Sequence, residues 1–334
     1  MTTNRAAWLM SKQAKPFTIG EAPMLKPKKG EVIIRNYAIA MNPVDAGIQN
    51  MGILWEEYPA IIGSDLAGEV FQVGPGVTGL QKGDRVIACV GEGAFQLYTA
   101  ADIRLVAKLP DKISYAQGAV LPLALTTAAN IFHPNNLGLS PPQLNPKPNN
   151  HTMLVWGGAS AVGSCAIQMI KAAGYDVITI ASPRNFGYCK ELGASAVFDY
   201  KDETIVERIV EAFEGKHFAG AFRAIFVSPG VIRDCLQIAD KLGRDEKTRV
   251  VSTVLPSNMP YTDAVAKLLG GVAPTPNDIG PATWGRWMTP ALEKGQLRCK
   301  PEPEVVGTGL EAIQEAVNEI GAGVSAKKIV VELP

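Results

Sequence analysis

Met153-Leu154-Val155-Trp156-Gly157-Gly158-Ala159-Ser160-Ala161-Val162-Gly163 is the stretch on which the reading of the fold turns. Four large apolar residues in a row, without alternation, predict a strand buried on both faces. The chain then turns through glycines and small residues. Val162, Ala166, Met169, Ile170 and Ala173 follow at the spacing of one helix face, and Gly174 closes the run. Asp176-Val177-Ile178-Thr179-Ile180-Ala181 supplies the next strand. Strand, helix and strand within about 30 residues make one βαβ unit.

The turn itself carries chemistry. Dinucleotide binding needs glycine where the chain reverses, where backbone approaches a pyrophosphate, and where helix packs on strand. Gly158, Ser160 and Gly163 occupy those three positions, with Ser in place of the middle glycine. A small side chain still lets a phosphate reach the helix N-terminus, so residues 160–163 are expected to hold pyrophosphate. A carboxylate ending the second strand would favour NAD. Here the chain has Ala181-Ser182-Pro183-Arg184-Asn185 instead, with Ser182 lying 19 residues after Gly163. Hydroxyl, guanidinium and amide suit a 2′-phosphate, which predicts NADP as the cofactor.

Outward from this unit, the alternation continues towards the C-terminus. Ile205, Ile209 and Phe213 mark a helix, followed by a strand over 222–227, a helix over 231–242 and a strand over 250–254. Strands alternating with helices predict a parallel sheet covered on both faces. After a weak stretch come a helix over 310–320 and a strand over 328–333. The N-terminal third differs. Glu31-Val32-Ile33-Ile34-Arg35, Gly68-Glu69-Val70-Phe71-Gln72-Val73 and Asp84-Arg85-Val86-Ile87-Ala88 are short strands set off by glycine turns, as in a small β-barrel-like domain.

Composition narrows the function classes. The 334 residues carry 32 basic and 32 acidic side chains, so the chain lacks the electrostatic footprint of a nucleic-acid binder. Hydrophobic residues make up 47%, as in a globular rather than a disordered chain. Residues 113–146 carry no charge, but their prolines and Gly138 break them up before they could span a bilayer. The five cysteines are scattered without a Cys-x-x-Cys pair, and the first ten residues lack a continuous apolar run. These features read as a soluble, cytoplasmic protein without disulfides.

Several further motifs join the Gly158 turn: Asn42-Pro43-Val44-Asp45, Gly63-Ser64-Asp65-Leu66-Ala67-Gly68-Glu69-Val70, Gly83-Asp84-Arg85-Val86, Leu125-Thr126-Thr127-Ala128, Phe198-Asp199-Tyr200 and Gly323-Val324-Ser325-Ala326-Lys327-Lys328. With them, essentially the whole chain resembles the zinc-independent quinone-reductase and enoyl-reductase branch of the medium-chain dehydrogenases/reductases, and within it the fungal trans-acting enoyl reductases. The resemblance implies an α/β protein. A GroES-like β-rich catalytic domain would take residues 1–125 and 290–334, and a Rossmann doubly wound parallel sheet residues 126–289. It implies that Val44, Asp45, Ala46, Gly47 and Thr127 lie beside the nicotinamide. Ser160, Ala161, Val162 and Gly163 would hold the pyrophosphate, and Ser182, Pro183, Arg184 and Asn185 the 2′-phosphate. Tyr200 would lie against the adenosine, Val254 and Leu255 at the carboxamide, and Val324 and Ser325 over the cofactor.

Zinc-dependent members of that superfamily carry Gly-His-Glu where this chain has Gly63-Ser64-Asp65. Serine is a poor zinc ligand, and no Cys or His adjoins Cys89, so no metal is expected. Without a Lewis acid the fold suits conjugate reduction, in which a thioester, enone or quinone already delocalises the charge. The expected activity is NADPH-dependent hydride addition to the C=C bond of an α,β-unsaturated carbonyl, of the enoyl reductase type found in polyketide pathways. A quinone oxidoreductase and a non-catalytic NADPH-binding accessory protein are the alternatives. Relatives often carry Lys or Tyr where this chain has Gly47, which removes a polar group and predicts extra space. Thr127 and Asn42 are the candidate catalytic residues; Asp45 could line the pocket or cap the helix after it. Water, Tyr58, Tyr98 or Thr127 could deliver the proton. Residues 130–135 and 269–287 are candidate pocket walls, with Trp284 and Trp287 readable either as lining or as core. The expected partner is a small-molecule substrate, free or as an acyl chain on a carrier protein, with no nucleic acid, no membrane, and a monomer or homodimer.

Overall fold

The computed structural model describes residues 3–134, 136–225, 229–243, 250–252, 266–268 and 279–334. The chain divides into two compact units. The first comprises Met1–Leu123, Trp284–Glu293 and Arg298–Pro334, and the second Ala124–Thr283 and Lys294–Leu297.

The first unit opens with β1 (Asn4–Trp8) and β2 (Thr18–Ala22), an antiparallel pair. Then follow β3 (Glu31–Ala40), α1 (Pro43–Met51), β4 (Asp65–Val73), β5 (Arg85–Cys89), β6 (Tyr98–Asp102) and β7 (Val106–Lys108). Two short helices, α2 (Tyr115–Ala119) and α3 (Pro122–Ala129), lead out of it.

The second unit alternates β8 (His151–Trp156), α4 (Ala161–Ala172), β9 (Asp176–Ala181), α5 (Phe186–Glu191), β10 (Ala196–Asp199), α6 (Ile205–Ala212), β11 (His217–Arg223), α7 (Pro229–Leu242), β12 (Val250–Ser252) and β13 (Ala266–Leu268). Among the described residues all its strand pairings are parallel, in the order β10-β9-β8-β11-β12-β13. Numbered from β8 this is 3-2-1-4-5-6, the doubly wound order of dinucleotide-binding sheets, with its reversal beside β8. Leu154, Trp156, Ile178, Ile180, Ile209, Phe213, Ala221 and Ile238 bury one face of the sheet under α6 and α7. On α4, Cys165, Ala166, Ile167, Met169 and Ile170 are fully buried.

The chain closes with α8 (Met288–Glu293), β14 (Glu302–Thr308), α9 (Ile313–Ala322) and β15 (Lys327–Glu332). β14 and β15 extend the first unit's sheet, whose order is β14-β15-β3-β4-β5-β7, with β6 also on β3. Its core gathers Ile34, Ile39, Leu66, Phe95, Val317, Ile329 and Val331.

Two expectations shift. The strand placed over 222–227 runs instead over His217–Arg223, paired with β8 from its first residue through a bulge between Phe218 and Gly220. The C-terminal helix starts later, because Leu310–Ala312 forms a single 3-10 turn after Gly309, whose φ is +84°. Trp284 and Trp287 are both 2% exposed, which is the core reading.

Candidate active site

The turn after β8 is held open for an anion by its own hydrogen bonds. Ser160 caps α4: its hydroxyl donates to the Gly157 carbonyl at 2.8 Å and accepts from the Gly163 N–H at 3.0 Å. The N–H groups of Ala161 and Val162, in the first turn of a twelve-residue helix, have no hydrogen-bond partner among the described residues. They are the donors a pyrophosphate would meet at the positive end of the dipole. The flanking glycines are required by space. A Cβ on Gly163 would stand 2.1 Å from the Gly157 carbonyl oxygen, and one on Gly158 would stand 2.2 Å from Thr179 Oγ1.

β9 ends beside β8, and Ser182 to Asn185 follow it as one tight turn, closed by the Asn185 N–H on the Ser182 carbonyl at 2.8 Å. Arg184 is exposed, and its guanidinium makes no hydrogen bond or ion pair with any described residue. Tyr200 follows β10, which lies beside β9; it is 44% exposed, with the Lys201 ammonium 5.9 Å from its ring centre. The carboxyl ends of three neighbouring strands thus gather Ser160–Gly163, Ser182–Asn185 and Tyr200 along one edge of the sheet. Thr127 is half-buried on α3. Val254 and Leu255 lie outside the described residues, as do Asn135 and residues 269–278 of the expected pocket walls.

The remaining candidates belong to the first unit, around the start of α1. Asn42 precedes the helix, and Pro43 opens it with a φ already suited to the first turn. Asp45 reaches back to accept from the Asn42 N–H at 2.7 Å, so the capping role is the one the structure displays. Burial foremost, and the neighbouring Asp65 carboxylate, push Asp45 up to about 7, against the pull of the Asn42 N–H and the Lys328 ammonium. Both polar atoms of the Asn42 amide are engaged. Its Nδ2 donates to Asp65 Oδ2 at 2.9 Å, and its Oδ1 accepts from Lys328 Nζ at 2.5 Å. Lys328 Nζ also meets Asp65 Oδ2 at 2.8 Å, while Asp65 Oδ1 accepts from the Leu123 N–H at 2.5 Å. The Asp65 and Lys328 side chains are 0% and 3% exposed. Sequence reasoning gave Lys328 no role; the signal available was a lysine inside the apolar run Lys328-Ile329-Val330-Val331.

The same helix adjoins the C-terminal segment. A Cβ on Gly321 would lie 3.4 Å from Ala46 Cβ, so α9 packs against α1, and Val324 and Ser325 follow immediately after α9. Asn42, Val44–Gly47 and Val324–Ser325 all belong to the first unit. Gly47 differs from the expectation of extra space. It is buried, and a Cβ there would stand 3.0 Å from Ile53 Cδ1 and 3.4 Å from Met51 Cε, because those side chains lean into the volume. Of the other proton donors considered, Tyr98 is 7% exposed and the Tyr58 hydroxyl donates to the Trp55 carbonyl at 3.3 Å.

Residues 28–111 match the alcohol dehydrogenase GroES-like domain, and residues 161–245 match the zinc-binding dehydrogenase domain. The dehydrogenase azaJ of Aspergillus niger is 41% identical over the full length of both chains. The chain belongs to the medium-chain dehydrogenase/reductase family. This is a family of oxidoreductases, and its fungal members include the trans-enoyl reductase himH of Aspergillus japonicus, 34% identical over 99% of this chain and 97% of that one. The Escherichia coli quinone oxidoreductase, solved with NADPH, shares the fold at a TM-score of 0.72 and 19% identity, covering 99% of this chain and all of that one.

The second domain description names zinc, and the residues here do not fit that ion. Asp65 stands where a relative's carboxylate would follow a zinc-binding His, yet both its oxygens are taken by Lys328, Asn42 and Leu123. Its cross-strand partner Cys89 is buried, and no three His, Cys, Asp or Glu side chains among the described residues group as a metal site. Among the described residues, no helix is long and apolar enough to cross a membrane.

Proposed function

We propose that the protein is an NADPH-dependent reductase that adds hydride to the β-carbon of an α,β-unsaturated carbonyl. The observation that carries this reading is the pairing of an anion-ready turn at Ser160–Gly163 with Arg184, exposed after the next strand and without an ion pair among the described residues. Kinship at 32–34% with chains named trans-enoyl reductases, over essentially the whole length, supports the choice of acceptor.

In this reading NADPH, when bound, supplies the hydride. The protein's own residues do the rest. The Ala161 and Val162 N–H groups bind the pyrophosphate, and Ser160 keeps them aimed. Arg184 and Ser182 bind the 2′-phosphate, and Tyr200 covers the adenosine. Val44 to Gly47, Thr127, Val324 and Ser325 orient the nicotinamide. Asn42, with both amide atoms already engaged, acts through the position of α1. Charge that develops on the substrate carbonyl is delocalised into an enolate, so the site needs orientation more than a Lewis acid. Water or the Thr127 hydroxyl returns the proton to the α-carbon. The acceptor is a small molecule or a carrier-bound acyl chain.

The test follows NADPH oxidation with an enoyl thioester, a simple enone, a quinone and a saturated aldehyde. The proposal expects turnover of the enoyl thioester or enone and none of the aldehyde. Turnover of the quinone alone establishes a quinone oxidoreductase, and tight NADPH binding without any oxidation establishes an accessory protein; either result overturns the proposal.

A further inference from the structure

The cluster of Lys328, Asp65 and Asn42 is a closed ring in which each side chain touches both others, at 2.5, 2.8 and 2.9 Å. Its members come from β15, from β4 and from the turn ahead of α1. Ala40, at the end of β3, pairs with Asp65 on one side and Val330 on the other, so the backbone already brings these positions level. The Met41 N–H donates to the Ile329 carbonyl at 2.9 Å, which fixes the chain one residue before Asn42. The side chains then set where Asn42, and the helix behind it, point.

An ion pair removed from water is weak evidence for stability, since apolar residues of similar volume often serve as well. What such a pair supplies is a defined arrangement. Here the arrangement joins two stretches distant in sequence. Asn42 is followed within two residues by Val44 to Gly47, and Lys328 is preceded within four by Val324 and Ser325. These are the stretches of the first unit that the proposed function assigns to the nicotinamide, on which the present inference rests.

We propose that Lys328 is a positioning residue for cofactor binding: its buried ammonium ties the Asn42 turn to β15 and so fixes Val44–Gly47 against Val324–Ser325. Lys328 is the cation that makes the Asp65 carboxylate tolerable in the core. Asp45 stands next to this ring as a further buried carboxyl, coupled to both Asp65 and Lys328.

The experiment compares wild type with Lys328→Met and Lys328→Arg in two binding titrations, one with NADPH and one with adenosine 2′,5′-bisphosphate. The bisphosphate presents only the end of the cofactor assigned to the second unit. Lys328→Met is expected to weaken NADPH roughly tenfold while leaving the bisphosphate unchanged, and Lys328→Arg, which keeps the charge, to recover part of the loss. If Lys328→Met does not fold, the double variant Asp65→Asn/Lys328→Met, which removes both charges, takes its place in the same titrations. Unchanged NADPH affinity, or equal weakening of both ligands, overturns the inference while the cofactor reading stands. Wild-type protein that binds neither ligand overturns the cofactor reading and the inference together.

Discussion

Asp45 is a carboxyl that the fold holds away from water, and its proton should be visible in stability. Unfolded, it ionises near 3.8; folded, it keeps its proton to about 7. A raised carboxyl pKa penalises the native state once the unfolded chain has ionised. Between those two values stability should fall as pH rises, by about 1.4 kcal/mol per pH unit for this one proton. Below the lower value the group contributes nothing, and above the upper one the whole penalty is present. Asp45→Asn keeps an amide oxygen for the Asn42 N–H, so denaturant titrations across the interval should show this part of the slope removed. An unchanged slope would mean that another group carries it. In the proposed function, Arg184 is the residue-scale determinant of cofactor choice. Charge-assisted bonds to a phosphate contribute about 1.5–3 kcal/mol each, so Arg184→Ala should weaken NADPH by about 10- to 100-fold and leave NADH nearly unaffected. Equal losses for both cofactors in binding titrations would rule this role out.

The βαβ turn concentrates the requirement for small residues in one element. Gly163→Ala sets a methyl against the Gly157 carbonyl, backbone against which nothing can rotate away. The expected cost is about 1–3 kcal/mol, read as a lower unfolding temperature together with weakened NADPH binding. The unit around this turn was legible in the sequence because its causes are local. Asp176-Val177-Ile178-Thr179-Ile180-Ala181 is apolar apart from Asp176 and Thr179, and it matches β9 end to end. Exposed or edge strands left weaker traces. β2 has no buried residue, and β14 carries Pro303, which only an edge position tolerates. β11 begins early because its pairing with β8, not its own periodicity, sets its start. The candidate site divides in the same way. Ser160, Gly163 and Arg184 could be named because spacing carries the motif, whereas the Lys328–Asp65–Asn42 ring joins positions that only the folded sheet brings together.

At the scale of the whole molecule, equal numbers of acidic and basic residues conceal an uneven use of charge. Most ion pairs described here lie at the surface, where they add little. Among the described residues, Lys328 and Asp65 form an ion pair that is buried. In the proposed function the charge that matters is Arg184, exposed at the edge of the parallel sheet and without an ion pair among the described residues. A reductase of this kind should move hydride to carbon without polarising the carbonyl through a metal. That claim is tested most directly by supplying NADPH deuterated at the transferable position, with an enoyl thioester, and locating the label in the product by mass spectrometry. The account predicts one deuterium on the β-carbon of a saturated thioester. Deuterium on the carbonyl carbon, or a product without label, would contradict it.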